Sequence, residues 1–65
     1  MYEEKPDKLE IGQLVFVEDE YHTYEGCLGI VMTEESYWGI YEVYIPEHTT
    51  TARLTRGQLE RLTDD

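Results

Sequence analysis

Cys27, His22 and His48 are the side chains of this sequence best suited to chemistry. With a single cysteine and two histidines in separate loops, none of the usual Cys/His zinc spacings can be assembled. Glu18-Asp19-Glu20 is a run of carboxylates, yet it lacks the alternate spacing and central glycine of a calcium loop. It reads as a solvated acidic loop. Cys27 has no basic neighbour in sequence to lower its pKa, which describes a structural thiol better than a nucleophile. No Ser-His-Asp or Cys-His arrangement can be argued from spacing, and the glycines form neither a dinucleotide fingerprint nor a Walker loop. Arg53, Arg56 and Arg61 are the only basic cluster. They are expected to pair with carboxylates, with a small-anion contact as the alternative. The expectation is a chain with no catalytic residue, no cofactor and no metal ligand.

Composition narrows the options further. The chain has 65 residues, with 15 Asp and Glu against 5 Lys and Arg, for a formal net charge of −10. It is one domain at most. A domain of this size buries only roughly 60% of its unfolded surface, so a dense core or a covering partner is needed. An enclosed active-site cleft is hard to build from so little material. No apolar run approaches the roughly 20 residues of a membrane span, and residues 1–10 are too acidic for a signal peptide. One cysteine forms no internal disulfide, which points to a reducing compartment and a cytoplasmic location. The negative charge repels nucleic acid and anionic membranes and favours a basic partner.

The elements that must position these groups read as strands. Residues 1–10 (MYEEKPDKLE) form a flexible acidic arm, and residues 63–65 a frayed tail. Between them, LVFV at 14–17 is a short strand closed by the acidic loop, and LGIVM at 28–32 is a second. Gly29 inside that strand signals a close backbone approach, a bulge or a bend. Residues 33–36 form a hairpin loop. Residues 37–45 (YWGIYEVYI) are almost all aromatic or β-branched and make the strongest strand, which Pro46 stops. After a turn at 47–49, TTARL at 50–54 is a fourth strand, residues 55–59 suit a single 3₁₀ turn, and 60–62 form a short closing strand. Five short strands with these connections predict an all-β fold over residues 11–62, closed into a small barrel that leaves no free edges.

Three stretches carry a resemblance to a known family. Ile11-Gly12-Gln13-Leu14-Val15-Phe16-Val17 is similar to the G-D-x-V-x-V opening of the SH3-like barrels, and Gly26-Cys27-Leu28-Gly29-Ile30-Val31 to their G-x-x-G-x-V second strand. Residues 54–62 resemble their ending in a 3₁₀ turn and a short strand. The likeness is strongest to the KOW-like and small bacteriophage versions. It implies a five-stranded SH3-like barrel with a 3₁₀ turn before the last strand, a phage or bacterial source, and, for a phage protein, action in the host cytoplasm. KOW modules that touch nucleic acid carry basic residues around the first loop, where this chain has Glu18, Asp19, Glu20 and Glu25. Tyr21, Tyr24 and Trp38 beside that acidic loop loosely resemble the groove of SH3 domains that bind Pro-rich peptides. The A-L-Y-D-Y opening and paired tryptophans of those domains are absent.

By the family pattern, strand alternation turns Val15, Val17, Val31, Tyr41, Val43 and Ile45 inward. Phe16, Ile30, Met32, Trp38, Ile40 and Tyr44 are left over. An outward apolar set of this size marks an interaction surface, unless the barrel bends so sharply that the side chains wrap into its core. The expected function is non-enzymatic binding of a protein partner. Phe16, Ile30, Trp38 and Tyr44 supply apolar contact, Tyr21 and Tyr24 flank it, and Glu18, Asp19, Glu20 and Glu25 supply charge. Two alternatives remain. One is an acidic mimic of nucleic acid that inhibits a nucleic-acid-binding or defence protein. The other is a structural subunit of a virion or complex that uses the apolar set to homo-oligomerise.

Overall fold

Short β-branched and aromatic runs become five strands in the computed structural model, which describes residues 8–62. The strands are β1 (Leu14–Val17), β2 (Leu28–Val31), β3 (Ile40–Ile45), β4 (Thr50–Thr55) and β5 (Leu59–Arg61). Lone 3₁₀ turns at Pro46–His48 and Arg56–Gln58 precede β4 and β5. The fold is all-β, a single antiparallel sheet in the order β4-β3-β2-β1-β5.

Consecutive strands β4 and β5 therefore lie at opposite edges of the sheet, yet only Arg56–Gln58 separates them. In a flat five-stranded sheet the outer strands would stand about 19 Å apart. A three-residue 3₁₀ turn advances roughly 8 Å from one flanking residue to the next. The sheet must curl, and it does so into a half-barrel compatible with an SH3-like barrel. The corner brings the two edges of the sheet round toward each other, but β4 and β5 are not hydrogen-bonded neighbours, so the expected closure without free edges is not made.

The concave face is the core. Val15, Val17, Val31, Tyr41, Val43, Ile45 and Leu54 are fully buried, with Leu9, Cys27 and Leu59 packed beside them. The inward set expected from alternation is thus inside, in strands whose burial alternates residue by residue. Leu9 belongs to the core as well: its N–H donates to the Tyr41 hydroxyl at 3.0 Å. Among the described residues, packing therefore reaches back to Leu9, two residues ahead of Ile11. The rest of the expected arm, residues 1–7, and the expected tail, 63–65, lie outside the described residues.

The third strand is shorter than its composition suggests. Residues 37–39 form a turn, and β3 starts at Ile40. Ser36 causes this. Its Oγ accepts hydrogen bonds from the Trp38 and Ile40 N–H groups at 3.2 and 3.1 Å, and its carbonyl accepts the Gly39 N–H at 2.9 Å. Gly39 takes φ +77°, a conformation that a β-branched residue resists. Local side-chain bonding outcompetes the strand propensity of Tyr37 and Trp38. Among the described residues no helix is long and apolar enough to cross a membrane.

Candidate functional site

On the convex face, the strands that fill the core on one side present apolar side chains on the other. Leu14 stands opposite Ile30, Phe16 opposite Leu28, and Ile30 opposite Tyr44. These are direct cross-strand neighbours, so they form one continuous patch across β1, β2 and β3. Leu62 extends it, because its N–H donates to the Leu14 carbonyl at 3.1 Å. Leu14, Phe16 and Leu28 are each nearly 40% exposed, Leu62 and Met32 somewhat more, while Ile30 and Tyr44 in the middle are half-buried.

Carboxylates border this patch on both sides. Glu60 on β5 pairs directly with Phe16, and Glu18 follows β1 on the same face. On the far side Glu42 faces Arg53 across β3 and β4 in a loose, exposed ion pair of 3.8 Å. Exposed pairs of this kind contribute little. An apolar centre with a charged rim is the anatomy of a protein interface.

The first loop divides into residues that serve the fold and residues that face solvent. Asp19 is tied down: its Oδ1 accepts the Tyr21 N–H at 3.0 Å and its Oδ2 accepts Gln58 Nε2 at 2.7 Å. Gln58 in turn accepts the Thr55 N–H at 2.9 Å, so the loop is laced to the corner between β4 and β5. Tyr24 is half-buried, with the His48 ring 4.9 Å away and the His22 ring 5.7 Å away. Glu20, Tyr21 and Glu25 are exposed.

These contacts set two opposite pH dependences. The Gln58 and Tyr21 donors hold the Asp19 carboxyl below its usual range. Its contribution to stability is present above the unfolded pKa and is lost as pH falls through the folded pKa. Glu18 is pushed upward, chiefly by the charge of neighbouring Glu60 and then by the hydrogen bond the two share. Here the folded state gains stability below the unfolded pKa and loses it as pH rises through the folded one. In acid titrations of thermal stability, Asp19→Asn is expected to flatten the loss at low pH. Glu18→Gln is expected to raise the neutral-pH melting temperature and to converge with the parent in acid. Parallel curves for parent and variants would contradict these contacts.

Of the outward set expected from sequence, Phe16, Ile30 and Tyr44 come together, and Met32 follows β2 as an exposed side chain. Trp38 sits in the turn before β3, 79% exposed, edge-on to Tyr37 with ring centroids 4.9 Å apart. With Ile40, Thr33, Glu34, Glu42 and Arg53 it lines an open groove of about 650 Å³. Leu14 and Leu28 lie outside the expected set, and their parity with Phe16 and Ile30 is the signal that finds them.

The three arginines do not form one cluster. Arg53 lies on β4 with Glu42, Arg56 donates through Nη1 to the Leu59 carbonyl at 2.7 Å, and Arg61 ends β5.

Cys27 is buried, and its thiol donates to Glu47 Oε1 at 3.6 Å. Burial raises its pKa first, and the neighbouring carboxylates Glu47 and Glu25 raise it further, which favours the neutral thiol over the thiolate. The β2–β3 register explains the meeting. Ile30 faces Tyr44 and Val31 faces Val43, so the same register continued past the strand brings Cys27 level with Glu47. His48 follows on the 3₁₀ turn, and one donor atom from each of Cys27, Glu47 and His48 lies within 4.8 Å of the others.

No protein-family model matches the sequence, and no curated protein or solved structure is detectably similar to it. The convex patch and the Cys27 cluster are the two arrangements of side chains on which a functional reading rests.

Proposed function

We propose that this chain is a non-enzymatic binding module that docks a basic protein partner on the convex face of β1, β2 and β3. The observation that carries the reading is the unbroken row of cross-strand apolar pairs, Phe16 with Leu28, Leu14 with Ile30, and Ile30 with Tyr44, on the outside of a sheet whose inner face already holds the core. A contiguous apolar face is costly to leave in water. Glu18, Glu60 and Glu42 at its rim, together with the net charge of −10, favour a positively charged partner and speed its approach. The same charge opposes a second copy of this chain on that face. With Asp19 engaged by Gln58, the acidic loop is less suited to imitate a row of phosphates. The resemblance of residues 11–17, 26–31 and 54–62 to KOW-like and small bacteriophage barrels supports a phage or bacterial adaptor of this kind, working in a reducing cytoplasm without contacting nucleic acid or membrane directly.

The test compares the parent with Phe16→Glu and Leu28→Glu. Both positions are exposed enough for the fold to tolerate a carboxylate, which circular dichroism verifies. Proteins captured by the parent are identified, purified and titrated. Each substitution is expected to weaken binding by at least about 30-fold, since a central interface residue contributes about 2 kcal/mol or more. The bound proteins are expected to be basic, and their affinity to fall with added salt. Unchanged titrations for both variants would rule this face out. A concentration-dependent dimer that Phe16→Glu abolishes would assign it to self-association instead.

A further inference from the structure

We propose that Cys27, Glu47 and His48 bind one zinc ion that pins the turn after β3 to the start of β2. Three donors of different chemistry converge here from two segments distant in sequence. Cys27 Sγ and Glu47 Oε1 are 3.6 Å apart, and the ligating atoms of all three residues lie within 4.8 Å of one another. With Zn–S about 2.3 Å and Zn–O about 2.1 Å, the edge of a tetrahedral site between sulfur and oxygen is about 3.6 Å. The thiol and carboxylate already stand at that separation. The imidazole edges, at 4.8 Å or less, have at most about 1.4 Å to close to reach tetrahedral length.

The backbone supports the arrangement. Cys27 is fixed by its N–H to the Tyr24 carbonyl at 3.0 Å and by its carbonyl to the Val17 N–H at 3.0 Å. Glu47 and His48 ride on the Pro46–His48 turn, which Thr49 closes in the left-handed conformation with its N–H on the Pro46 carbonyl. Tyr24 packs against the His48 ring and limits its orientation. Glu47 and His48 are exposed, so an ion can enter from solvent and keep a water as its fourth ligand.

The donor set selects the metal. A thiolate and an imidazole favour zinc over calcium or magnesium, which prefer oxygen ligands alone. On binding, the Cys27 thiol releases its proton to solvent, and the thiolate and the Glu47 carboxylate together balance the two positive charges of the ion. Small domains with little core commonly gain a staple of this type. This proposal is independent of the convex patch, which lies on the opposite side of the sheet from buried Cys27.

Cobalt(II) titrated into the full chain is the direct test, because its spectrum reports ligand type and geometry. Binding is expected to produce the intense near-ultraviolet thiolate-to-cobalt band and the visible bands of a four-coordinate ion, and zinc is expected to displace it while magnesium does not. Cys27→Ser should remove the thiolate band. His48→Ala, at an exposed position, should weaken binding by about 100-fold or more, beyond the loss typical of removing a residue that merely supports a ligand. Glu20→Gln serves as a control for loose binding to surface carboxylates and should change nothing. Zinc is further expected to raise the melting temperature of the parent and not that of Cys27→Ser. A pale octahedral spectrum, or equal cobalt affinity in parent, Cys27→Ser and His48→Ala, would overturn the proposal and reduce the cluster to a buried thiol hydrogen-bonded to Glu47.

Discussion

Tyr41→Ala is expected to leave the chain largely unfolded at room temperature. Among the described residues Tyr41 is the bulkiest fully buried side chain, on interior strand β3 and facing the concave side. Replacing a large buried ring by alanine costs about 3–5 kcal/mol. In a domain this small a single core rarely supplies more than about 3–5 kcal/mol of net stability. One substitution therefore removes most or all of the margin. The loss has two parts that can be separated. Tyr41→Phe keeps the ring and deletes only the hydroxyl that accepts the Leu9 N–H in a buried setting. It is expected to cost about 1–2 kcal/mol, the penalty of leaving that donor unpaired. Urea denaturation followed by far-ultraviolet circular dichroism measures both. Trp38 is too exposed to be a good reporter of the core. A Tyr41→Ala midpoint equal to that of the parent would mean that the ring does not fill the half-barrel.

The second large effect is expected at Gly29. Its backbone is in an ordinary extended conformation, so strain is not the issue; space is. A β-carbon added there would collide with Val43 Cγ1 and would sit 3.3 Å from Ile45 Cδ1 and 3.4 Å from the Tyr44 carbonyl oxygen. Val43 is β-branched, fully buried and unable to swing away. Gly29→Ala should cost about 1–3 kcal/mol by overpacking, and Gly29→Val more. The mechanism predicts a specific rescue. In the double variant Gly29→Ala, Val43→Ala the two losses should fall short of their sum, because the second change vacates the volume that the first requires. Strict additivity would show that the penalty at Gly29 is not steric contact with Val43.

These two residues also mark what the sequence reveals. Gly29 reads as a close approach, a bulge or a bend, and the structure decides for the first by placing Val43 against it. Alternation in LVFV and IYEVYI is enough to separate core from surface, since a strand has only two faces. It also contained more than the outward set took from it: Leu14 and Leu28 share the parity of Phe16 and Ile30 and complete the convex patch. Trp38 is where pattern reading fails. Its propensity is that of a strand residue, but a single serine hydroxyl at position 36 bends the chain around it. Asp19 and Tyr24 look like surface residues of an acidic loop until Gln58 and the two histidine rings are found around them. Cys27, Glu47 and His48 form no spacing motif because strand register, a non-local property, is what joins them.

The three-residue corner at Arg56–Gln58 has one more consequence. Strands β1 to β4 pair each with its chain neighbour, whereas β5 returns to β1 from the far end of the sequence. The last strand is therefore the natural one to detach. Deleting residues 57–65 would strip β1 of the hydrogen bonds that Leu59–Arg61 supply and leave it as a bare edge. Bare edges recruit strands from other molecules. A truncated chain of this kind, mixed with a synthetic peptide spanning residues 57–62, is a ready system for strand complementation, in which the peptide restores the missing ladder in trans.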